Sequence, residues 1–135
     1  IFALSSFARQ VAQIKLGHIP AKISVGNLEA KRDYSDVSDI VRGYREAIYN
    51  GKRGAVYNLC SGKSHELGEL LKMLMAVAGV EAEVVVDEAR VRPIDIPELV
   101  GSAQAAHKDF GWKPRVEMEG VLHSLLGYWL ESLGS

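Results

Sequence analysis

The residues best suited to chemistry stand together in one run, Val25-Gly26-Asn27-Leu28-Glu29-Ala30-Lys31-Arg32-Asp33-Tyr34-Ser35-Asp36-Val37-Ser38-Asp39-Ile40. Arg32 and Asp33 fall between the end of a strand pattern and the start of a helix pattern. There an anion can meet a guanidinium together with the free N–H groups of a helix's first turn. The competing reading is a solvated charged loop, because exposed charge is usually just exposed charge. Asp36 and Asp39 look like paired acids, but at a helix N-terminus capping and dipole compensation account for them. Cys60 is the single cysteine, so no internal disulfide can form. It closes a strand with no base beside it, which argues against a nucleophile. Cys60, His18, His65, His107 and His123 show no metal-ligand spacing.

The elements that must position Arg32 follow from periodicity. Leu4, Phe7, Val11 and Ile14 recur at helical steps, predicting a helix over 5–16 that stops at Gly17. Ala21 to Val25 alternates and ends at Gly26-Asn27, predicting a strand. Ser35 caps a second helix with Val37, Ile40, Val41, Tyr44, Ala47 and Ile48 as its inner face. The near-continuous apolar run 55–60 predicts a strand buried on both faces. Ser64 opens a helix with Leu67, Leu70, Leu71, Leu74 and Ala78 inward, stopped by Gly79. Residues 83–86 predict a strand, and 87–101, with two prolines, an irregular loop. A short helix runs from Ser102 to Asp109, and Val121, Leu122, Leu125, Leu126 and Trp129 mark a last one. Trp112 and Trp129 are expected to fill core, and His107 and His123 to lie at or near the surface. Helices alternating with strands make an α/β protein.

Composition narrows the function classes. At 135 residues, 47% hydrophobic and 24% charged, the chain is sized for one domain or part of one. A net charge of -1 excludes a broad basic face for nucleic acid. The longest apolar runs fall far short of the ~18 residues of a membrane span. The lone cysteine fits a reducing, cytoplasmic compartment. The chain opens on Ile1-Phe2-Ala3-Leu4, without Met and directly into a helical pattern, which is expected of a segment of a longer polypeptide.

The run at 25–40 resembles the extended short-chain dehydrogenase/reductases, where Gly-Asn-Leu-Glu/Asp-Ala-x-Arg-Asp-aromatic followed by x-Asp-Val-x-Asp marks enzymes acting on GDP-sugars. The likeness continues through Val56-Tyr57-Asn58-Leu59-Cys60-Ser61-Gly62, similar to a late strand of the family's sheet. It extends to Arg90-Val91-Arg92-Pro93-Ile94-Asp95-Ile96-Pro97, similar to its Arg-Pro-x-Asp loop, and to Phe110-Gly111-Trp112-Lys113-Pro114. The four motifs stand in the family's order and approximate spacing, and the resemblance accounts for residues 5–133. Because Tyr34 and Ser35 follow the Asp, the likeness is greatest to the branch that reduces GDP-4-keto-6-deoxy-hexoses, with the GDP-mannose 4,6-dehydratases next.

The resemblance implies a C-terminal, substrate-binding portion of a Rossmann-type enzyme, with mixed short strands, about five helices, and 55–60 as a late strand of an otherwise missing sheet. It implies that Arg32 and Arg92 bind the nucleotide diphosphate, whose oxygens suit a planar, permanently charged fork. Arg9 matches a contact near the phosphates, or is a plain surface residue. Val25 and Asn27 match the segment flanking the nucleobase, although a strand valine is by default core. Pro93, Ile94 and Asp95 match a loop over the substrate, and Asp95 equally suits bracing Arg92.

The family's Tyr-x-x-x-Lys pair is not in this sequence: Tyr34, Tyr44, Tyr49, Tyr57 and Tyr128 are followed four places later by Ser38, Ile48, Arg53, Ser61 and Ser132. Its thirteen glycines do not fall at the cofactor spacing either. The expectation is therefore a chain that binds a GDP-sugar, holds no cofactor itself, and belongs to a homo-oligomeric parent using NADP or NAD, whose N-terminal Rossmann half is missing here. The strand at 55–60 should then leave an exposed edge prone to association. A non-catalytic binding module is the alternative of a different class.

Overall fold

The computed structural model describes residues 2–91 and 96–134. In chain order the elements are α1 (Ala3–Lys15), β1 (Lys22–Val25), β2 (Lys31–Asp33), α2 (Val37–Asn50), β3 (Ser64–Glu66), α3 (Leu67–Ala78), β4 (Glu83–Val86), a 3-10 turn (Glu88–Arg90), β5 (Glu98–Leu99), α4 (Gln104–Phe110) and α5 (Met118–Gly134). This is the expected α/β architecture. The chain divides into two units, one of Ile1–Ala30, Glu66–Pro97 and Glu119–Ser135, the other of Lys31–His65 and Glu98–Met118.

The first unit is built on a parallel pair. β1 lies beside β4 with Ile23 opposite Val84 and Val25 opposite Val86. α1 packs on α3 through Leu4, Phe7 and Val11 against Leu67, Leu70, Leu71 and Leu74, all buried, as the helical spacing of these residues predicts. Lys15 Nζ donates to the Ala78 carbonyl at 2.5 Å, satisfying a terminal acceptor of α3. Gly79 ends α3 in the left-handed conformation at φ 63°. The Gln10 side chain reaches from α1 to β1: its Oε1 accepts from Ser24 N at 2.9 Å and its Nε2 donates to Ser24 O at 3.1 Å. It thus supplies the bonds a further strand would give.

The second unit holds a small sheet in the order β3-β2-β5, with Arg32 of β2 opposite Leu99 of β5 in parallel register. Residues 31–33, expected as loop, are a strand because β5, inside the segment expected to be irregular, pairs with them. The helix expected from Ser64 begins at Leu67, because Ser64–Glu66 is taken into the same sheet. α2 is capped by Asp36, whose side chain accepts from Ser38 N at 2.9 Å, and not by Ser35.

Two expectations fail in α2 and the chain that follows. Most of the predicted inner face is turned outward: Val37, Val41, Tyr44 and Ile48 are 75%, 60%, 63% and 79% exposed, while Ile40 and Ala47 are half-buried. The helix buries Asp39 and Gly43 instead. A Cβ on Gly43 would lie 2.6 Å from Leu59 Cδ1 and 2.9 Å from Trp112 Nε1, so the glycine admits Leu59 and Trp112 on this face. Residues 55–60 pair with no strand among the described residues, and Val56 is exposed. A strand exists through its ladder, and no described strand lies beside this run to form one. The segment is held by side chains instead. Tyr57 packs edge-on against Phe110, its hydroxyl donates to Asp109 at 2.8 Å, and Lys52 Nζ reaches the same carboxylate at 2.6 Å. The Lys52 and Tyr57 bonds hold Asp109 below its ordinary carboxylate pKa.

Trp112 fills core as expected, fully buried with Nε1 donating to the Asp39 carbonyl at 3.0 Å. No helix among the described residues is long and apolar enough to cross a membrane. No cluster of His, Cys, Asp or Glu there is arranged to hold a metal.

Candidate functional site

Arg32 occupies the middle of β2, half-buried, with Nη1 donating to the Lys31 carbonyl at 2.7 Å. Its place is set by the residue after it. Asp33 Oδ1 accepts from Ser61 N at 2.9 Å and Ser61 Oγ at 2.5 Å, while Oδ2 accepts from Gly62 N at 2.9 Å and Gly101 N at 3.2 Å. One carboxylate therefore ties two chain segments, 61–62 and the one at Gly101, to the end of β2. Among the described residues it organises the backbone around Arg32, and sequence reasoning named it only as Arg32's partner. The small residues Ser61, Gly62 and Gly101 were a signal, but nothing in one sequence says which carboxylate their N–H groups meet.

Close packing accompanies this knot. A Cβ on Gly101 would stand 2.6 Å from Cys60 Sγ and 3.0 Å from Cys60 Cβ. Gly101→Ala should therefore cost about 1–3 kcal/mol through overpacking, read as a lower denaturation midpoint, and Cys60→Ala in the same chain should recover part of it. Burial pushes the Cys60 thiol up, and the nearby Asp33 charge adds to the rise. A thiol kept protonated is a poor nucleophile, in line with the structural reading of Cys60.

Tyr34 follows the knot, and burial raises its phenol pKa although the Arg32 charge works the other way. Its ring lines an open hollow of the second unit with Ser61, Lys63, His65 and Glu117.

The other acid of this unit that matters is Asp39. Its Oδ2 accepts from Arg115 N at 2.8 Å and Val116 N at 2.9 Å, and its Oδ1 from Arg42 Nη2 at 2.5 Å. Arg42 continues to the Lys113 carbonyl at 2.6 Å and lies over the Trp112 ring. Burial alone would raise the Asp39 pKa, but the bonds from Val116, Arg42 and Arg115 outweigh it and hold the carboxyl below its ordinary value. Dipole compensation, the reading from sequence, misses this: Asp39 anchors the 113–116 segment to α2.

Arg9, Val25 and Asn27 belong to the first unit. The Arg9 guanidinium lies 5.6 Å over the Trp129 ring, a cation–π contact that gives it a packing role. Val25 is 1% exposed, its side chain part of the buried core, so a ligand could meet only its main chain. Asn27 is half-buried just past the end of β1. Arg92, Pro93, Ile94 and Asp95 lie outside the described residues.

Comparison with known proteins bears on the family and the fold. The profile of the GDP-mannose 4,6 dehydratase family matches residues 2–125. The GDP-6-deoxy-D-mannose reductase of Pseudomonas aeruginosa is 37% identical over 128 residues, spanning 95% of this chain and 42% of that protein. GDP-mannose 4,6 dehydratase 1 of Arabidopsis thaliana is 27% identical over 132 residues, spanning 96% of this chain and 36% of that protein. Among solved structures, RMD from Pseudomonas aeruginosa complexed with NADPH superposes with a TM-score of 0.91 at 34% identity, covering 97% of this chain and 43% of that one. The chain thus spans about two-fifths of the length of these relatives. With the family profile matched over nearly its whole length, this chain belongs to the GDP-mannose 4,6 dehydratase family of extended, Rossmann-type short-chain dehydrogenase/reductases.

Proposed function

We propose that this chain is the nucleotide-sugar-binding part of a GDP-4-keto-6-deoxy-D-mannose reductase. The observation that carries the reading is the greater identity to the reductase than to the dehydratases over the same residues. Arg32 and Arg92 hold the diphosphate, each as a permanently charged fork suited to two phosphate oxygens. Val25, through its backbone, and Asn27 flank the base. Pro93, Ile94 and Asp95 border the sugar, and Arg9 adds positive charge near the phosphates from its place on Trp129. The Asp33 knot fixes the backbone that carries Arg32, so the base of its side chain is in place before the ligand arrives.

The chemistry supplied from outside this chain is a hydride from NADPH or NADH to the C4 carbonyl carbon, with a proton to its oxygen. This chain contributes binding and orientation, since its sequence carries neither a Tyr-x-x-x-Lys pair nor the glycine spacing of a dinucleotide cradle. Residues 55–60 form a strand of the sheet in the cofactor-binding half. Two facts support that placement: the backbone of 56–60 makes no hydrogen bond among the described residues, and the apolar stripe of α2 is exposed. The whole enzyme is a homo-oligomer working in the cytoplasm.

The test is product analysis with the full-length protein. Given the 4-keto-6-deoxy GDP-sugar and NADPH, it should consume reductant in step with formation of a GDP-6-deoxyhexose. The family profile favours a second reading, a GDP-mannose 4,6-dehydratase. Formation of the keto sugar from GDP-mannose without added reductant would replace the first reading with this one.

A further inference from the structure

The carboxyl end of the β1–β4 pair is built more tightly than a surface loop requires. A Cβ on Gly26 would stand 2.3 Å from the Arg90 carbonyl oxygen and 2.8 Å from its carbon. No left-handed φ makes Gly26 necessary, since it is not among the glycines with positive φ. What requires glycine there is the approach of another stretch of backbone, which cannot yield as a flexible side chain would. The approaching stretch is the 3-10 turn Glu88–Arg90.

That turn is pinned at three further points. Asp87 N donates to the Val25 carbonyl at 2.8 Å, continuing the ladder one residue past β4. The Asp87 carboxylate accepts from Ala89 N at 3.0 Å and from Arg90 Nε at 3.2 Å, which closes the turn on itself. Arg90 Nη1 reaches Ser6 Oγ on α1 at 3.4 Å. The corner Val25-Gly26-Asn27 is thereby clamped between its own strand and the turn. In parallel sheets the carboxyl ends of strands are where ligands are received. A clamped corner there has a use that fold stability alone does not demand.

We propose that Gly26 and Asp87 are positioning residues for the nucleotide: by seating the 87–90 turn on the end of β1 they fix the Val25–Asn27 corner that the base is read against. This rests on the GDP-binding reading above. Neither residue touches the ligand. They act through Val25 and Asn27, and a misplacement of about 1 Å in such a corner is enough to cost up to a hundredfold.

The experiment titrates GDP into the full-length protein and measures KM and kcat for the keto sugar. Gly26→Ala and Asp87→Ala should each weaken GDP by about tenfold or more and raise KM, with kcat kept within about twofold, the mark of lost ground-state binding. Asp87→Asn, which retains an acceptor for Ala89 N, should recover most of the affinity. Gly127→Ala, on α5 with nothing within 4 Å of the new methyl, should match the wild type. The inference is overturned if Gly26→Ala and Asp87→Ala bind GDP within twofold of the wild type, whatever their denaturation midpoints. Should Gly26→Ala fail to fold, the same comparison is decided by Asp87→Ala and its rescue by Asp87→Asn. A wild type that does not bind GDP, or an Arg32→Ala variant with undiminished affinity, would instead overturn the GDP reading itself.

Discussion

Replacing Asp39 with alanine should lower the unfolding free energy by about 1–3 kcal/mol, as expected when buried backbone donors lose their acceptor. The variant leaves Arg115 N and Val116 N without their acceptor, and leaves Arg42 the Lys113 carbonyl and the Trp112 face among the described residues. Against a typical total of about 5–15 kcal/mol, such a loss is large. Denaturant unfolding of the full-length protein measures it. The same site gives a pH dependence with a definite sign. The folded Asp39 pKa lies below its ordinary value, so its contribution is fully present above the ordinary carboxylate pKa and is lost as pH falls through the folded one. Asp39→Asn should flatten that part of the acid limb. An acid limb identical to the wild type's would remove Asp39 from the account.

Arg32→Ala should weaken GDP binding by about 10- to 150-fold, the equivalent of about 1.5–3 kcal/mol for charge-assisted hydrogen bonds to a diphosphate. The effect should be specific, because the knot beneath Arg32 does not depend on its guanidinium. Asp33 makes its bonds to Ser61, Gly62 and Gly101 whether or not the neighbouring side chain is present. Denaturation midpoints of Arg32→Ala and wild type should therefore agree while their affinities differ. Lysine at this position should restore only part of the affinity, since a point charge lacks the fork that meets two oxygens.

The parts of the fold legible in the sequence were those governed by local pattern. Leu4, Phe7 and Val11 announced α1, Leu67 to Ala78 announced α3, and Gly79 stood where a left-handed stop was expected. What pattern could not reveal was decided by partners distant in the chain. Lys31–Asp33 looked like loop because three charged residues do not alternate in polarity, and pairing with β3 and β5, distant in the chain, makes them a strand. The apolar stripe of α2 predicted an inner face, yet this helix turns Asp39 and Gly43 toward Trp112 and Leu59. An apolar stripe records that a face is made to be covered, without saying by which chain segment. For the site, motif resemblance pointed to Arg32 but not to the carboxylate that fixes it. Asp33 and Asp39 each act on backbone N–H groups, and main-chain donors leave no trace in residue identity.

Calorimetric titration of GDP into the full-length wild type, Arg32→Ala, Arg92→Ala and the double variant bears most directly on whether this chain grips a diphosphate with two guanidinium groups. The account predicts a loss of affinity in each single variant and a combined loss that departs from their sum, as for two groups sharing one ligand. Wild-type affinity retained in both single variants would contradict it.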